Sequence, residues 1–245
     1  MKHRLCLPEL HGMAEKGLGR QIELGRDHAH YLARVLRMKP GVRLTLFDGQ
    51  GSEWQAAVVS LSQAAASVVV ESAARSEPRP AELVLAQAWL KGSAMDTVVQ
   101  KSVELGVTRI HPVLTERSNV RLDAQRMARK LTHLQRIAVS AAQQCETLWL
   151  PAITPLANLS DVLAMDRPGR TLFFDPGQAP PEPGDAPEPL TLLIGPEGGW
   201  SDGERALAAA DATVHPAGLG PLVLRAETAP LAALAAIRQS WGWRR

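Results

Sequence analysis

The sequence predicts a small β-barrel with one helix over residues 1–75, followed by an α/β part with a mostly parallel sheet over residues 76–245. Three observations predict it. Alternating apolar runs flank Asp48-Gly49, a short-range hairpin signal. The stretch Arg75-Ser76-Glu77-Pro78-Arg79-Pro80 breaks every periodicity and carries two prolines, as a boundary between folded parts does. Beyond it, strand-like and helix-like segments alternate, the pattern of a parallel sheet covered by helices.

Composition bounds the rest. At 245 residues, 45% hydrophobic and 21% charged, the chain can bury a sizeable core. No apolar run has the length to span a bilayer, and the basic N-terminus has no apolar stretch before Pro8 and Glu9, so neither a membrane span nor a signal peptide is expected. Cys6 and Cys145 lie far apart with no CxxC, which predicts neither a disulfide framework nor a zinc site; no cluster has metal-ligand spacing, and a cytoplasmic protein is the default. Net charge is only +2 but uneven: residues 109–136 hold seven Lys/Arg against two Asp/Glu, and residues 175–188 hold four acids and no base. A basic stretch suits a phosphate-binding surface and is equally the pattern of a solvated helix face.

In the first part, residues 43–59 hold the two alternating runs of the hairpin around Asp48-Gly49, and the valines of 67–71 form another strand. Between Asp27, the expected N-cap, and Met38 lies a short amphipathic helix with Tyr31, Leu32, Val35 and Leu36 inward, ended by Pro40-Gly41. In the second part, residues 83–88 are a strand. Ser93 caps a helix that turns Met95, Val98, Val99 and Ser102 inward and stops at Gly106, and residues 107–114 return as a strand. A long helix to about Cys145 has Met127, Leu131, Leu134, Ala138, Ala141 and Cys145 on one face and Arg126, Arg129, Lys130, His133 and Arg136 on the other. After a strand at 172–174, the Pro- and acid-rich residues 176–189 read as a spacer that does not pack.

Residues 190–204 organise the chain. Leu190 to Ile194 reads as a buried strand; Gly195-Pro196-Glu197-Gly198-Gly199 excludes both strand and helix; Ser201 and Glu204 form a capping box that starts a helix. A second glycine-bearing loop, Gly218-Leu219-Gly220-Pro221-Leu222-Val223, precedes Leu224-Arg225-Ala226-Glu227-Thr228 and a closing helix with Leu231, Leu234, Ile237 and Trp241. It is no dinucleotide fingerprint, since the third glycine is missing and Pro221 removes an N–H, and there is no Walker Gly-Lys-Ser/Thr. Two such loops at neighbouring strand ends suggest a nucleoside-type ligand held by backbone groups.

Together the loops resemble the signature of the SPOUT superfamily of knotted methyltransferases. More narrowly, the chain resembles the small-subunit ribosomal RNA uridine-N3 methyltransferase family, through Leu192-Leu-Ile-Gly-Pro-Glu-Gly-Gly-Trp-Ser201 with Glu204, Leu219-Gly-Pro-Leu-Val-Leu-Arg-Ala-Glu-Thr-Ala229, Val99-Gln-Lys-Ser-Val-Glu-Leu-Gly-Val107, and His28 with Val35-Leu-Arg-Met-Lys-Pro-Gly41. Ala226 stands where a threonine is usual, and Gln143 replaces an acid in the segment before Trp149. The resemblance implies a trefoil knot with the chain after Pro216 threaded through an earlier loop. It implies bound S-adenosylmethionine, lined by Phe173, Leu193, Gly195, Glu197, Gly199, Leu219, Gly220, Leu224 and Thr228. It further implies a homodimer packed through C-terminal helices, and a PUA-like N-terminal module that docks 16S ribosomal RNA through Arg4, His28, Arg34 and Arg37, with Arg121.

Uracil N3 must lose its proton before or during methylation, so the site needs a base or a cation that stabilises the uracil anion. Arg225 is the candidate cation; Glu197 and Glu227 are the candidate bases. Structural roles compete: Arg225 and Glu227 can pair with each other, and Glu197 can bond N–H groups where the next helix starts. Methylation of another RNA base or a ribose 2′-oxygen, and a non-catalytic RNA-binding assembly factor, are the competing readings of the whole chain.

Overall fold

The computed structural model describes residues 3–12, 18–72, 74–118, 123–182 and 184–244. They form two compact units, Met1–Arg79 with Ala142–Trp149, and Pro80–Ala141 with Leu150–Arg245. Among the described residues no helix is long and apolar enough to cross a membrane.

The first unit is built on strands β1 (Arg4–Cys6), β2 (Gln21–Leu24), β3 (Arg43–Phe47), β4 (Ser52–Leu61), β5 (Ala66–Val70) and β6 (Arg75–Ser76). Their order is β1-β3-β4-β5-β2, with β6 also on β4; β1 runs parallel to β3 and the other pairs are antiparallel. Asp48 closes the β3–β4 connection: its Oδ1 accepts the N–H groups of Gln50 at 2.8 Å and Ser52 at 3.0 Å. Along β4, Trp54, Ala56 and Val58 alternate inward onto Leu5, Leu32, Leu46 and Val68, the period-2 pattern of a half-buried strand.

Helix α1 (Arg26–His30) runs on into a π-helical turn, Tyr31–Val35. Gly25 in extended conformation takes the N-cap position that Asp27 was expected to fill, and Asp27 lies in the first turn, where its charge complements the helix dipole. The wider turn, closed by the Leu36 N–H on the Tyr31 carbonyl at 3.0 Å, keeps Leu32 fully buried and leaves Val35 61% exposed, not inward as its spacing predicts. Residues 142–149 return to this unit: Gln143 donates to the Tyr31 hydroxyl at 2.8 Å, and the Gly51 N–H to the Leu148 carbonyl at 3.1 Å. Gln143 therefore has a packing role.

The second unit alternates β7 (Leu83–Ala88), α2 (Ala94–Glu104), β8 (Arg109–Leu114), α3 (Ala124–Cys145), β9 (Ala152–Ile153), β10 (Ala157–Asn158), α4 (Leu159–Ala164), β11 (Arg170–Phe174), β12 (Leu190–Ile194), α5 (Asp202–Ala209), β13 (Val214–Ala217) and α6 (Thr228–Ser240). The sheet is wholly parallel, in the order β10-β8-β7-β12-β11-β13 with β9 on β8. Every residue of β7 and β12 is buried, as in a parallel sheet covered on both faces. Phe173, Leu193 and Trp200 pack with Leu159 and Val162 of α4 and Ala208 of α5.

The segment expected to be an unpacked spacer is largely exposed but is tied down at several points. Ala179 accepts the Gly218 N–H at 2.7 Å, Gly184 accepts the Ser240 hydroxyl at 3.3 Å, Asp185 accepts the Arg244 guanidinium, and Glu188 pairs with Arg170 at 2.6 Å. Prolines and acids exclude helix and strand here, but they leave carbonyl groups that must find donors.

Candidate active site

Two loops at the carboxyl ends of β12 and β13 build the site; these strands are not neighbours, as the sequence suggests, but flank β11. The first, residues 195–199, joins β12 to α5 and is locked by its surroundings. Ser201 Oγ accepts the Glu204 N–H at 3.1 Å and Glu204 Oε2 accepts the Ser201 N–H at 2.8 Å, completing the capping box read from the sequence. The other Glu204 oxygen accepts the Glu116 N–H at 2.9 Å, tying α5 to the end of β8. Trp200 donates from its indole N–H to the Phe174 carbonyl at 2.9 Å and stacks on Phe173 with centroids 4.6 Å apart. Arg117 donates to the Gly198 carbonyl at 2.9 Å. Gly199 has φ +66°, a conformation that an L side chain rarely takes.

The second loop follows β13. The Ala217 carbonyl accepts the Asp175 N–H at 3.0 Å, and a Cβ on Gly218 would lie 2.0 Å from the Gln178 carbonyl oxygen. The backbone of residues 175–179 thus lies directly on this segment, and only glycine fits. The chain then opens out: Leu222 and Val223 are 76% and 81% exposed. It re-enters helix at α6, where the Arg225 carbonyl accepts the N–H groups of Thr228 and Ala229 at 2.9 and 3.0 Å.

Between the loops lies a mainly apolar cavity of about 360 Å³, within the range of small-molecule sites. Gly195, Glu197, Gly199, Leu219, Gly220, Leu224, Arg225 and Glu227 all line it. Phe173, Leu193 and Thr228 do not. Side chains alternate across a strand, so the wall is made by Phe174 and Ile194, while Phe173 and Leu193 point to the core on the other face. Thr228 opens α6 beside Glu227 and Ala229, which do reach the cavity.

Asp175 and Trp200 also line the cavity and were not singled out from sequence. Asp175 had one available signal, its place just past the carboxyl end of a parallel strand. Its carboxylate is held by Arg205, Nε to Oδ2 at 2.7 Å and Nη2 to Oδ1 at 3.2 Å, and this hydrogen bonding, above all, raises the Arg205 pKa. Gln87, fully buried on β7, donates to the Ala88 and Gly195 carbonyls at 3.1 and 3.5 Å.

Arg225 is exposed and Glu227 half-buried; neither forms an ion pair among the described residues, so they do not pair with each other. Glu197 is exposed and accepts the Lys91 N–H at 3.3 Å, a bond to the loop after β7 and not to the start of α5. The cavity therefore offers an apolar bed, backbone groups, one uncompensated cation and three carboxylates, of which Asp175 is held by Arg205. That set can hold a nucleoside-bearing molecule and stabilise an anion beside it. Among the described residues no cluster of three or more His, Cys, Asp or Glu is placed to hold a metal ion.

The basic residues assigned to RNA divide. Arg34 and Arg37 are exposed and His28 half-buried, all on or just after the α1 helical segment. Arg4 is 6% exposed, paired through Nη1 with Glu53 at 2.9 Å and lying 5.1 Å from the Phe47 ring centroid. Its strand is buried along its whole length, so Arg4 is part of the first unit's interior and is not presented to a ligand. Arg121 lies outside the described residues.

Residues 77–238 match the RNA methyltransferase domain family, and residues 24–71 match the RNA methyltransferase PUA domain. A ribosomal RNA small subunit methyltransferase E of Synechocystis is 33% identical over 88% of this chain and 72% of its own length. Two solved structures superpose closely. One is a methyltransferase of Legionella pneumophila in complex with SAM, at TM-score 0.88 and 32% identity over 98% of both chains. The other is a ribosomal RNA small subunit methyltransferase E of Neisseria gonorrhoeae bound to S-adenosyl methionine, at TM-score 0.85 and 32% identity over 98% of both chains.

Proposed function

This chain belongs to the RNA methyltransferase family, and we propose that it transfers a methyl group from S-adenosylmethionine to N3 of a uridine in 16S RNA of the small ribosomal subunit. The observation that carries the reading is the cavity between the two glycine-bearing loops, with the uncompensated Arg225 on its wall. The residues present fit the donor. The bed is apolar, and at Gly199 and Gly220 a Cβ would meet nothing within 4 Å, so both backbones are open to a close-lying ligand. Bound there, S-adenosylmethionine supplies an electrophilic methyl carbon on its sulfonium.

The chain's own residues do the rest. The loop backbones position donor and acceptor, which is most of what a direct displacement requires. The Arg225 guanidinium stabilises negative charge on the uracil oxygens as N3 gives up its proton. Glu227, which has no ionic partner among the described residues, is the first proton acceptor; Glu197 already holds the Lys91 N–H and is second. In the first unit Arg34, Arg37 and His28 meet RNA phosphates and set position without specifying sequence.

The backbone of residues 175–179 lying across 217–218 supports a trefoil knot with the chain after Pro216 threaded through that loop. Trp243, 53% exposed just past α6, together with Leu222 and Val223 offers apolar surface for a second copy, supporting a homodimer. A cytoplasmic site of action follows from the substrate.

The deciding experiment is methyl transfer from labelled S-adenosylmethionine to unmethylated small ribosomal subunits, followed by nucleoside mass spectrometry. N3-methyluridine is the expected product. Another methylated nucleoside overturns the choice of acceptor, and absence of both transfer and cofactor binding overturns the enzymatic reading.

A further inference from the structure

Helix α3 has 22 residues and no acidic residue among them. Its Arg126, Arg129, Lys130, His133 and Arg136 are all exposed. At helical periodicity they share an arc of about 120° and span about 15 Å of helix axis. A solvated helix face ordinarily interleaves acids with bases three or four residues apart, which stabilises it; here bases neighbour bases, which repel. Compensation from elsewhere in the same unit is partial. Asp123 pairs with Arg126 at 3.3 Å and Asp96 with His133 at 3.0 Å, and the Lys130 ammonium lies 5.7 Å from the Trp89 ring centroid. Arg129 and Arg136 have no ion-pair or hydrogen-bond partner among the described residues.

This face adjoins the cavity. Trp89, which carries Lys130, lies two residues before Lys91, whose N–H is held by Glu197 on the cavity wall. The short stretch after β7 therefore touches the basic face through one residue and the site through another. Arg117, between β8 and α3, holds the Gly198 carbonyl of the loop that carries Glu197. A strand of a nucleic-acid duplex carries about one phosphate per 3.4 Å of axis, so a face of this length meets several.

We propose that the basic face of α3 is a docking surface for the phosphodiester backbone of the RNA whose base enters the cavity. The proposal rests on the RNA-methylating reading above and adds to it a contact made by the methyltransferase unit itself. Because phosphate contacts position without specifying, the surface governs affinity for RNA and its salt dependence, while the methylated position and the affinity for the methyl donor are set elsewhere.

The test is the double variant Arg129→Gln/Arg136→Gln in the full chain. Both positions are exposed and glutamine is a good helix former, so the fold is kept; donor affinity by calorimetry checks this. KM for unmethylated small-subunit ribosomal RNA is measured between 50 and 200 mM KCl alongside the wild type. The expected result is a raised KM and a slope of log affinity against log salt smaller by about 2, one for each phosphate that the variant leaves unneutralised, with kcat, donor affinity and methylated nucleoside unchanged. An unchanged slope and KM, with the wild type active, overturn the surface alone and leave an acidic protein as the occupant of α3. A wild type that neither methylates RNA nor binds it in a salt-dependent way overturns this proposal and the functional reading together.

Discussion

The two walls of the cavity are built in opposite ways. The loop after β12 carries a local device, the Ser201–Glu204 capping box, and is braced by side chains: the Trp200 indole N–H on the Phe174 carbonyl and the Arg117 guanidinium on the Gly198 carbonyl. The loop after β13 has little of its own and takes its path from a distant segment, the backbone of residues 175–179 laid against Gly218. One wall is a local motif braced by side chains from other elements. The other is shaped by backbone laid directly on backbone.

That contrast can be broken at Gly218. Gly218→Ala puts a Cβ against a backbone carbonyl that cannot yield, so a loss of about 3 kcal/mol, and with it the cavity, is expected in urea unfolding and donor calorimetry. Near-wild-type values from both would mean that the crossing segment is not what shapes the second wall. Arg225→Ala tests chemistry on that wall without touching its path: turnover should fall about 100-fold while donor affinity holds. Near-normal turnover would remove Arg225 from the mechanism.

The first wall should be more forgiving. Gly199→Val forces a β-branched residue into positive φ at a cost of about 1–2 kcal/mol and sends its side chain into the cavity. Donor affinity should drop sharply while the protein still unfolds cooperatively; unchanged affinity would make this loop only a turn. Glu204→Ala removes half of the capping box and strands the Glu116 N–H, so about 1–2 kcal/mol of stability is expected to go, with the second wall and its Arg225 unaffected.

The smallest effect lies away from both walls and serves as their control. Burial on β8, and then the neighbouring Arg109, lower the pKa of His111, whose Nδ1 sits 2.8 Å from Thr154 Oγ1. Below about pH 6.5 the unfolded chain takes up a proton on this imidazole before the folded chain does. Stability from this residue is therefore full above that pH and declines as pH falls toward the lowered folded value. Urea midpoints at pH 7.5 and 5.5 should show the decline, and His111→Asn should flatten it.

The same contrast explains what was legible. The strand at 190–194, the capping box, the strands around Asp48 and the helix toward Cys145 were all readable, because each rests on contacts within a few residues or on a clear period. Six cavity residues, Gly195, Glu197, Gly199, Leu219, Gly220 and Leu224, were named through the resemblance, and Arg225 and Glu227 through the chemistry of uracil N3. Phe173 and Leu193 were placed one residue off. From their third residue on, β11 and β12 are apolar and buried without a break, so no alternation tells which neighbour faces the ligand. Arg4 read as a surface cation because its partner, Glu53, is 49 residues away.

By itself, then, the sequence determined the hairpin around Asp48, the alternation of strand and helix from 83 to 145, the glycine loops and their capped helix, and the basic face of α3, since these follow from nearest-neighbour chemistry and helical or strand period. The short elements β1, β2, β6, β9, β10, α4 and β13 were not legible. Only the tertiary structure decided that residues 176–189 are anchored by hydrogen bonds to 218, 240 and 244, that Gly218 is glycine because a carbonyl lies where a Cβ would be, and that Arg225 and Glu227 share a cavity without pairing. Those outcomes depend on which distant groups meet, and one chain segment carries no record of what another will lay against it.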